Sequence, residues 1–161
     1  MAKKLKTNAM RLLDQAKIVY EIKEYAYDEE HLSGEHIVGQ VEMAAKDIFK
    51  TLVLKGNNGY LVCCIPVLEE IDLKKLAKLS NNKSVEMIHM KDLLATTGYI
   101  RGGCSPVGMK KKFDTYFDSS INDCSRVALS AGKRGYQMII EAKELLEYLD
   151  ATLGDVIRRQ A

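Results

Sequence analysis

The chain is poor in the residues and patterns that announce the commonest chemistries. Its 161 residues include four cysteines, three histidines and two prolines. No C-x-x-C is present, and no H-E-x-x-H or similar histidine spacing, so neither a redox dithiol nor a zinc site is expected. His31, His36 and His89 read as surface or hydrogen-bonded histidines. There is no G-x-S-x-G elbow and no assignable Ser-His-Asp set, which leaves nucleophilic serine catalysis without support. No apolar run approaches the roughly 20 residues that cross a bilayer. No apolar core follows the basic start Met1-Ala2-Lys3-Lys4-Leu5-Lys6, as a signal peptide would require. The chain is therefore expected to stay in the cytoplasm, with reduced thiols at Cys63, Cys64, Cys104 and Cys124. An excess of one charge is also lacking. With 24 Lys and Arg against 22 Asp and Glu the net charge is +2, which excludes a general nucleic-acid coat. Repeats and low-complexity linkers are absent, and the length suits one domain over residues 1–161.

What the chain does have is concentrated glycine. The stretch Thr97-Gly98-Tyr99-Ile100-Arg101-Gly102-Gly103-Cys104-Ser105-Pro106-Val107-Gly108 holds four of eleven glycines and one of the two prolines. Glycine permits φ > 0 and close approach of a ligand to the main chain. The stretch reads either as a plain turn or as a shaped loop whose N–H groups suit carbonyl oxygens, phosphates or sugar hydroxyls. Basic residues cluster at 3–6, at Lys110, Lys111 and Lys112, at Lys133 and Arg134, and at Arg158 and Arg159. Each cluster is either solvated surface or part of a small phosphate-contacting patch.

Hydrophobic spacing lays out the elements. Residues 7–16 read as a helix capped by Thr7 or Asn8, with Met10, Leu13 and Ala16 on one face. A second helix is expected from a Ser33 cap, with Ile37, Val41 and Ala44 as its stripe. Asp72 caps a third, carrying Leu73, Leu76 and Ala77; residues 91–96 form a fourth; and the chain is helical from Ala142 through Leu153, Val156 and Ile157. Strands are expected at 19–27, 48–55, 60–66, 85–88, 113–117, 126–130 and 136–140. Gly56-Asn57-Asn58-Gly59 closes a hairpin, Asn-Gly supplying positive φ. Strands and helices mix without a βαβ rhythm, which gives an α+β fold with a mixed, mainly antiparallel sheet curled towards a barrel and flanked by helices.

Within Ile48–Leu54, alternation puts Phe49, Thr51 and Val53 on one face and Lys50, Leu52 and Leu54 on the other. Both faces are apolar, so Lys50 points into an apolar neighbourhood. It either contacts a substrate or snorkels to water. Ser130 ends a strand before Ala131-Gly132-Lys133-Arg134-Gly135; it lines a pocket mouth or bonds its own turn. Tyr25 and Tyr27 share a face and either stack on a base or pack at a rim. The acidic pairs Glu29-Glu30 and Glu69-Glu70 read as solvated loop ends.

Phe49-Lys50-Thr51-Leu52, then Thr97-Gly98-Tyr99 with Gly102-Gly103-Cys104-Ser105-Pro106-Val107-Gly108, then Ser130-Ala131-Gly132-Lys133-Arg134-Gly135 occur in that order. Over about residues 7–157 the chain resembles the bacterial YbaK/EbsC group, free-standing Cys-tRNA(Pro) deacylases related to the editing domain of prolyl-tRNA synthetases. The resemblance implies a mixed β-barrel flanked by helices, cleavage of the ester between a mischarged amino acid and the 3′ end of tRNA, and no metal or other cofactor. It also implies attack on the ester carbonyl by the substrate's own cysteine thiol. Carried over, the catalytic positions are Lys50 and Gly102, and the substrate-binding positions are Tyr25 (or Tyr27), Thr51, Gly103, Ser130 and Gln137. Backbone N–H groups of Gly102 and Gly103 would stabilise an oxyanion. Two positions depart from the family: Ser33, where some relatives have an aromatic residue, and Gln137, where some have an acid. The implied partners are the acceptor end of an aminoacyl-tRNA and prolyl-tRNA synthetase. An Ala- or Ser-tRNA deacylase and a non-catalytic tRNA-end or nucleotide-binding module are the competing readings.

Overall fold

The structure is a computed structural model that describes residues 6–27, 30 and 37–159. Helix α1 (Asn8–Gln15) begins at Thr7, whose Oγ1 accepts the Met10 N–H at 3.1 Å. That bond satisfies one of the free donors of the first turn. Its buried face is Ala9, Met10 and Leu13. Ala16, expected on that face, is instead the exposed C-cap. Strand β1 (Tyr20–Glu24) is shorter than the expected 19–27.

The expected second helix is not seen in residues 37–44, which form turns and an isolated Val38–Val41 bridge. Gly39 at φ +92° interrupts them. Val41 is buried and Ile37 packs beside it, against Ile48, Val67, Ala128 and Ile139. The apolar spacing reflects a loop lying on a sheet. Ser33, His31 and His36 fall outside the described residues.

A short 3-10 turn (Ala45–Asp47) leads into β2 (Phe49–Gly56), which pairs along its whole length with β3 (Gly59–Pro66). Positive φ in this hairpin falls on Gly59 (+119°), not on Asn57 or Asn58. The turn is held from outside: Asn82 Oδ1 accepts the Asn57 N–H at 3.0 Å, and Asn57 Oδ1 accepts the Lys83 N–H at 2.7 Å. Asp72 Oδ1 accepts the N–H groups of Lys74 and Lys75, capping α2 (Leu73–Leu79). Strand β4 (Glu86–Met87) and helix α3 (Met90–Thr97) follow; α3 ends on Gly98 in the left-handed region, φ +86°. The remainder is β5 (Asp114–Asp118), β6 (Arg126–Ser130), β7 (Tyr136–Glu141), α4 (Ala142–Leu149) and β8 (Thr152–Gly154). The last helix is shorter than expected. Asp150 takes φ +53°, ψ +46° and ends it, and Leu153, Val156 and Ile157 pack from non-helical chain.

The architecture is α+β, with two sheets rather than a closed barrel. One is antiparallel, in order β1-β7-β6; the other is mixed, in order β4-β2-β3-β5-β8. A parallel bridge between Ile48 and Ala128 joins them. The alternation on β2 is as expected. Phe49 faces the main core with Val62, Cys64 and Phe117, whereas Leu52 and Leu54 face a second core with Cys63 and Ile65. Adjacent Cys63 and Cys64 thus point to opposite faces. Among the described residues no helix is long and apolar enough to cross a membrane.

Candidate active site

Strand register brings four distant residues onto one face, with Tyr25 one ladder step from Gln137. Gln137 on β7 is paired with Lys23 of β1 and with Ser130 of β6. The Ile48–Ala128 bridge is parallel, and Lys50 and Ser130 each lie two residues beyond it, on the same strand faces as Ile48 and Ala128. The Tyr25 N–H donates to the Gly135 carbonyl at 2.8 Å, which continues the ladder one step past β1. Because side chains alternate, Tyr25, Gln137, Ser130 and Lys50 share the face that carries Ala128 and Ile139. Met138 and Ile140 point the other way, into the main core.

Burial grades across this face. Gln137 and Ser130 are buried, at 2% and 8% exposure, and Tyr25 and Lys50 are half-buried. Tyr27 is 47% exposed and its ring lies over Gly135, so Tyr25 is the more enclosed of the two. Ser130 Oγ accepts the Gly132 N–H at 3.1 Å, a turn bond that leaves its own hydrogen to donate. Among the described residues, Gln137 Oε1 has no hydrogen-bond partner. A buried acceptor without a donor is costly, and a ligand donor would relieve that cost.

The glycine loop lies beside the 131–135 turn. Gly103 packs against Lys133 and Arg134, and Arg134 Nε donates to the Arg101 carbonyl at 2.7 Å. Gly102 holds φ +86°, and its N–H makes no hydrogen bond among the described residues. The Gly103 N–H is different: it donates to the Ile100 carbonyl at 2.9 Å, closing a turn. The pair of free donors expected at Gly102 and Gly103 is therefore one donor, at Gly102. Thr51 is also set apart. It lies on the face opposite Lys50, where its Oγ1 accepts from the Cys64 thiol at 3.6 Å.

Tyr99 anchors the loop. Its hydroxyl donates to the Val107 carbonyl at 2.5 Å, and its ring fills the space over Gly132 and Gly108. Thr7 Oγ1 donates to the Ala131 carbonyl at 2.6 Å and Asn8 Nδ2 to the Gly108 carbonyl at 3.0 Å. The start of α1 thus holds both loops. Sequence reasoning placed Tyr99 in the motif and Thr7 at a cap, but the bonds that join them are non-local and leave no pattern in the chain.

None of the thiols is poised for attack. Burial pushes Cys104 up to about 11, and Cys64 up to about 12. Burial likewise raises Cys63 strongly. His89 caps α3 through its backbone and is exposed. Among the described residues no three His, Cys, Asp or Glu side chains gather where a metal could be held.

Comparison with known proteins bears on this site. A family model described as an aminoacyl-tRNA editing domain matches residues 32–148. A protein of Enterococcus faecalis (strain ATCC 700802 / V583), provisionally named Cys-tRNA(Pro)/Cys-tRNA(Cys) deacylase EbsC, is 48% identical over 99% of this chain and 100% of its own length. A proline–tRNA ligase of Fervidobacterium nodosum is 29% identical over 54% of the chain, which spans 17% of that ligase. A solved structure described provisionally as a trans-editing enzyme for prolyl tRNA synthetase superposes with a TM-score of 0.82. It has 20% identity and covers 97% of this chain and 100% of the other. At that identity the likeness speaks for the fold.

Proposed function

The chain belongs to the aminoacyl-tRNA editing domain family, and on that premise we propose that it is a free-standing deacylase, one domain over residues 1–161, that cleaves the ester of mischarged Cys-tRNA(Pro). The carrying observation is the shared face of Tyr25, Gln137, Ser130 and Lys50, with the glycine loop packed on the 131–135 turn that joins Ser130 to Gln137, in a chain whose thiols are pushed up by burial. The site offers positioning groups and an oxyanion donor but no activated nucleophile.

The chemistry follows from that shortage. An aminoacyl ester is already activated, so orientation and charge stabilisation supply most of what is needed. Gln137 Oε1 accepts a hydrogen bond from the substrate α-ammonium group, ending its isolation. The Lys50 ammonium holds a phosphate or polar group of the terminal adenosine. Tyr25 and Ser130 border the aminoacyl group between them. The nucleophile is the substrate's own thiol. The thiol releases its proton to solvent as its sulfur bonds to the carbonyl carbon, negative charge builds on the carbonyl oxygen, and the Gly102 N–H donates to it. The carbon–O3′ bond then breaks and O3′ takes up a proton. The four-membered thiolactone released opens in water to cysteine. No metal or cofactor is assigned a step.

We assign tRNA choice to prolyl-tRNA synthetase. The net charge is +2, and segments similar to this chain occur within proline–tRNA ligases. Release of amino acid from tRNA(Pro) charged with Cys, Ala or Pro, with and without the synthetase, tests the reading. Cysteine should leave at least about tenfold faster than alanine, a margin of 1.4 kcal/mol, and the synthetase should sharpen preference for tRNA(Pro). Binding without release of any amino acid would make the protein a tRNA-end binding module instead.

A further inference from the structure

Two loops meet where Gly103 packs on Lys133 and Arg134, and neither contains an acidic residue. Residues 97–113 carry Arg101, Lys110, Lys111 and Lys112; residues 130–136 carry Lys133 and Arg134. The other 18 Lys and Arg face 22 acids, so outside these two loops the chain sums to −4. Among the described residues, none of the six cations forms an ion pair with a carboxylate. They flank the glycine loop at both ends. Arg101, Lys133 and Arg134 stand beside Gly102, and Lys110 lies over Gly98 with its Nζ 3.4 Å from the Ala95 carbonyl. Beyond Gly108, Lys111 and Lys112 rim an open cleft of about 340 Å³. Leu12, Met109, Phe113 and Tyr148 line it, and no carboxylate does.

We propose that these loops are the track for the RNA backbone, and that the cleft takes one unpaired base of the single-stranded 3′ end. This rests on the deacylase reading for the identity of the RNA. The chemistry is that of single-strand binding: cations that follow phosphates, and aromatic rings on which a base lies. The volume falls at the lower end of small-ligand sites. The track passes the Gly102 N–H, so a strand held at Lys111 and Lys112 is led towards the face shared by Lys50, Ser130 and Gln137. The near-neutral net charge conceals the patch, because the acids are all elsewhere.

The test uses two uncharged RNA hairpins, one with a four-nucleotide 3′ overhang and one blunt, titrated between 50 and 200 mM salt. The overhang should improve affinity about tenfold. Lys111→Ala with Lys112→Ala should reduce the salt slope by about 1 to 2 and raise KM for charged tRNA with little change in kcat. Tyr148→Ala, at a position already 37% exposed, should remove most of the overhang advantage and leave the salt slope unchanged. Thermal scans show whether each variant is folded. Equal affinity of the wild type for both hairpins would overturn the base site. An unchanged slope in the lysine variant would overturn the track. The expected binding pattern in a protein that releases no amino acid would support the track while refuting the deacylase reading.

Discussion

At the residue scale, the side chains that do the proposed work are those held where isolated chemistry would not leave them. Lys50 sits half-buried on a strand whose neighbours on both faces are apolar. Lys50→Ala should lower kcat/KM about a hundredfold or more, as loss of a preorganised charged contact does, with the fold retained by circular dichroism. Lys50→Arg should rescue little, since a planar fork does not replace a compact ammonium. Gln137 gives a sharper test, because its Oε1 is buried without a partner. Replacing it by leucine removes the orphaned acceptor, so Gln137→Leu should match or exceed wild type in Tm. The same variant should lose about tenfold in kcat/KM if the acceptor meets the substrate amine. A parallel loss of stability and activity would make Gln137 a packing residue.

At the element scale, the start of α1 is the fastening for both loops of the site. One hydroxyl, Thr7 Oγ1, accepts from Met10 and donates to Ala131. Thr7→Ala should cost about 1–2 kcal/mol as a lost cap, seen as a fall in Tm of roughly 2–8 °C, and should raise KM because the 131–135 turn loses its anchor. Much of this layer was legible in the sequence. β2, β3, β6 and β7 are alternating apolar runs bounded by turn residues, and Asp72 and Thr7 are ordinary caps. The misreadings have physical causes. Ile37, Val41 and Ala44 keep the spacing of a helix face, but a loop draped on Ala128 and Ile139 needs the same apolar residues. β8 has three residues and owes its existence to pairing with β5, which local pattern does not encode. The shared face of Tyr25, Gln137, Ser130 and Lys50 depends on the Ile48–Ala128 bridge between the sheets. The residues were visible in the chain and their alignment was not. The loss of the Gly103 donor was equally invisible, since a carbonyl three residues earlier takes it.

At the scale of the whole molecule, burial holds the thiols towards their protonated form, and in the proposed mechanism the substrate supplies the nucleophile. Cys104 is pushed up to about 11, and Cys64 and Tyr99 up to about 12, chiefly by burial. Each raised value means that the folded state holds a proton the unfolded chain releases earlier. The contribution of these groups to stability should therefore be level below about pH 8.5 and fall as pH rises from there towards 11. The check is Tm at pH 7.5 and pH 10, with a smaller fall in Cys104→Ala. The same burial bears on mechanism, because Cys104 is the thiol closest in sequence to the Gly102 donor. The measurement that bears most directly on the central claim is single-turnover deacylation of Cys-tRNA(Pro) and Ala-tRNA(Pro) by wild type and Cys104→Ala. If the substrate supplies the nucleophile, the variant keeps near wild-type rate on Cys-tRNA(Pro), and Ala-tRNA(Pro) stays slow with both proteins. Loss of Cys-tRNA(Pro) cleavage in a folded Cys104→Ala variant would contradict the account, since the attacking sulfur would then belong to the enzyme.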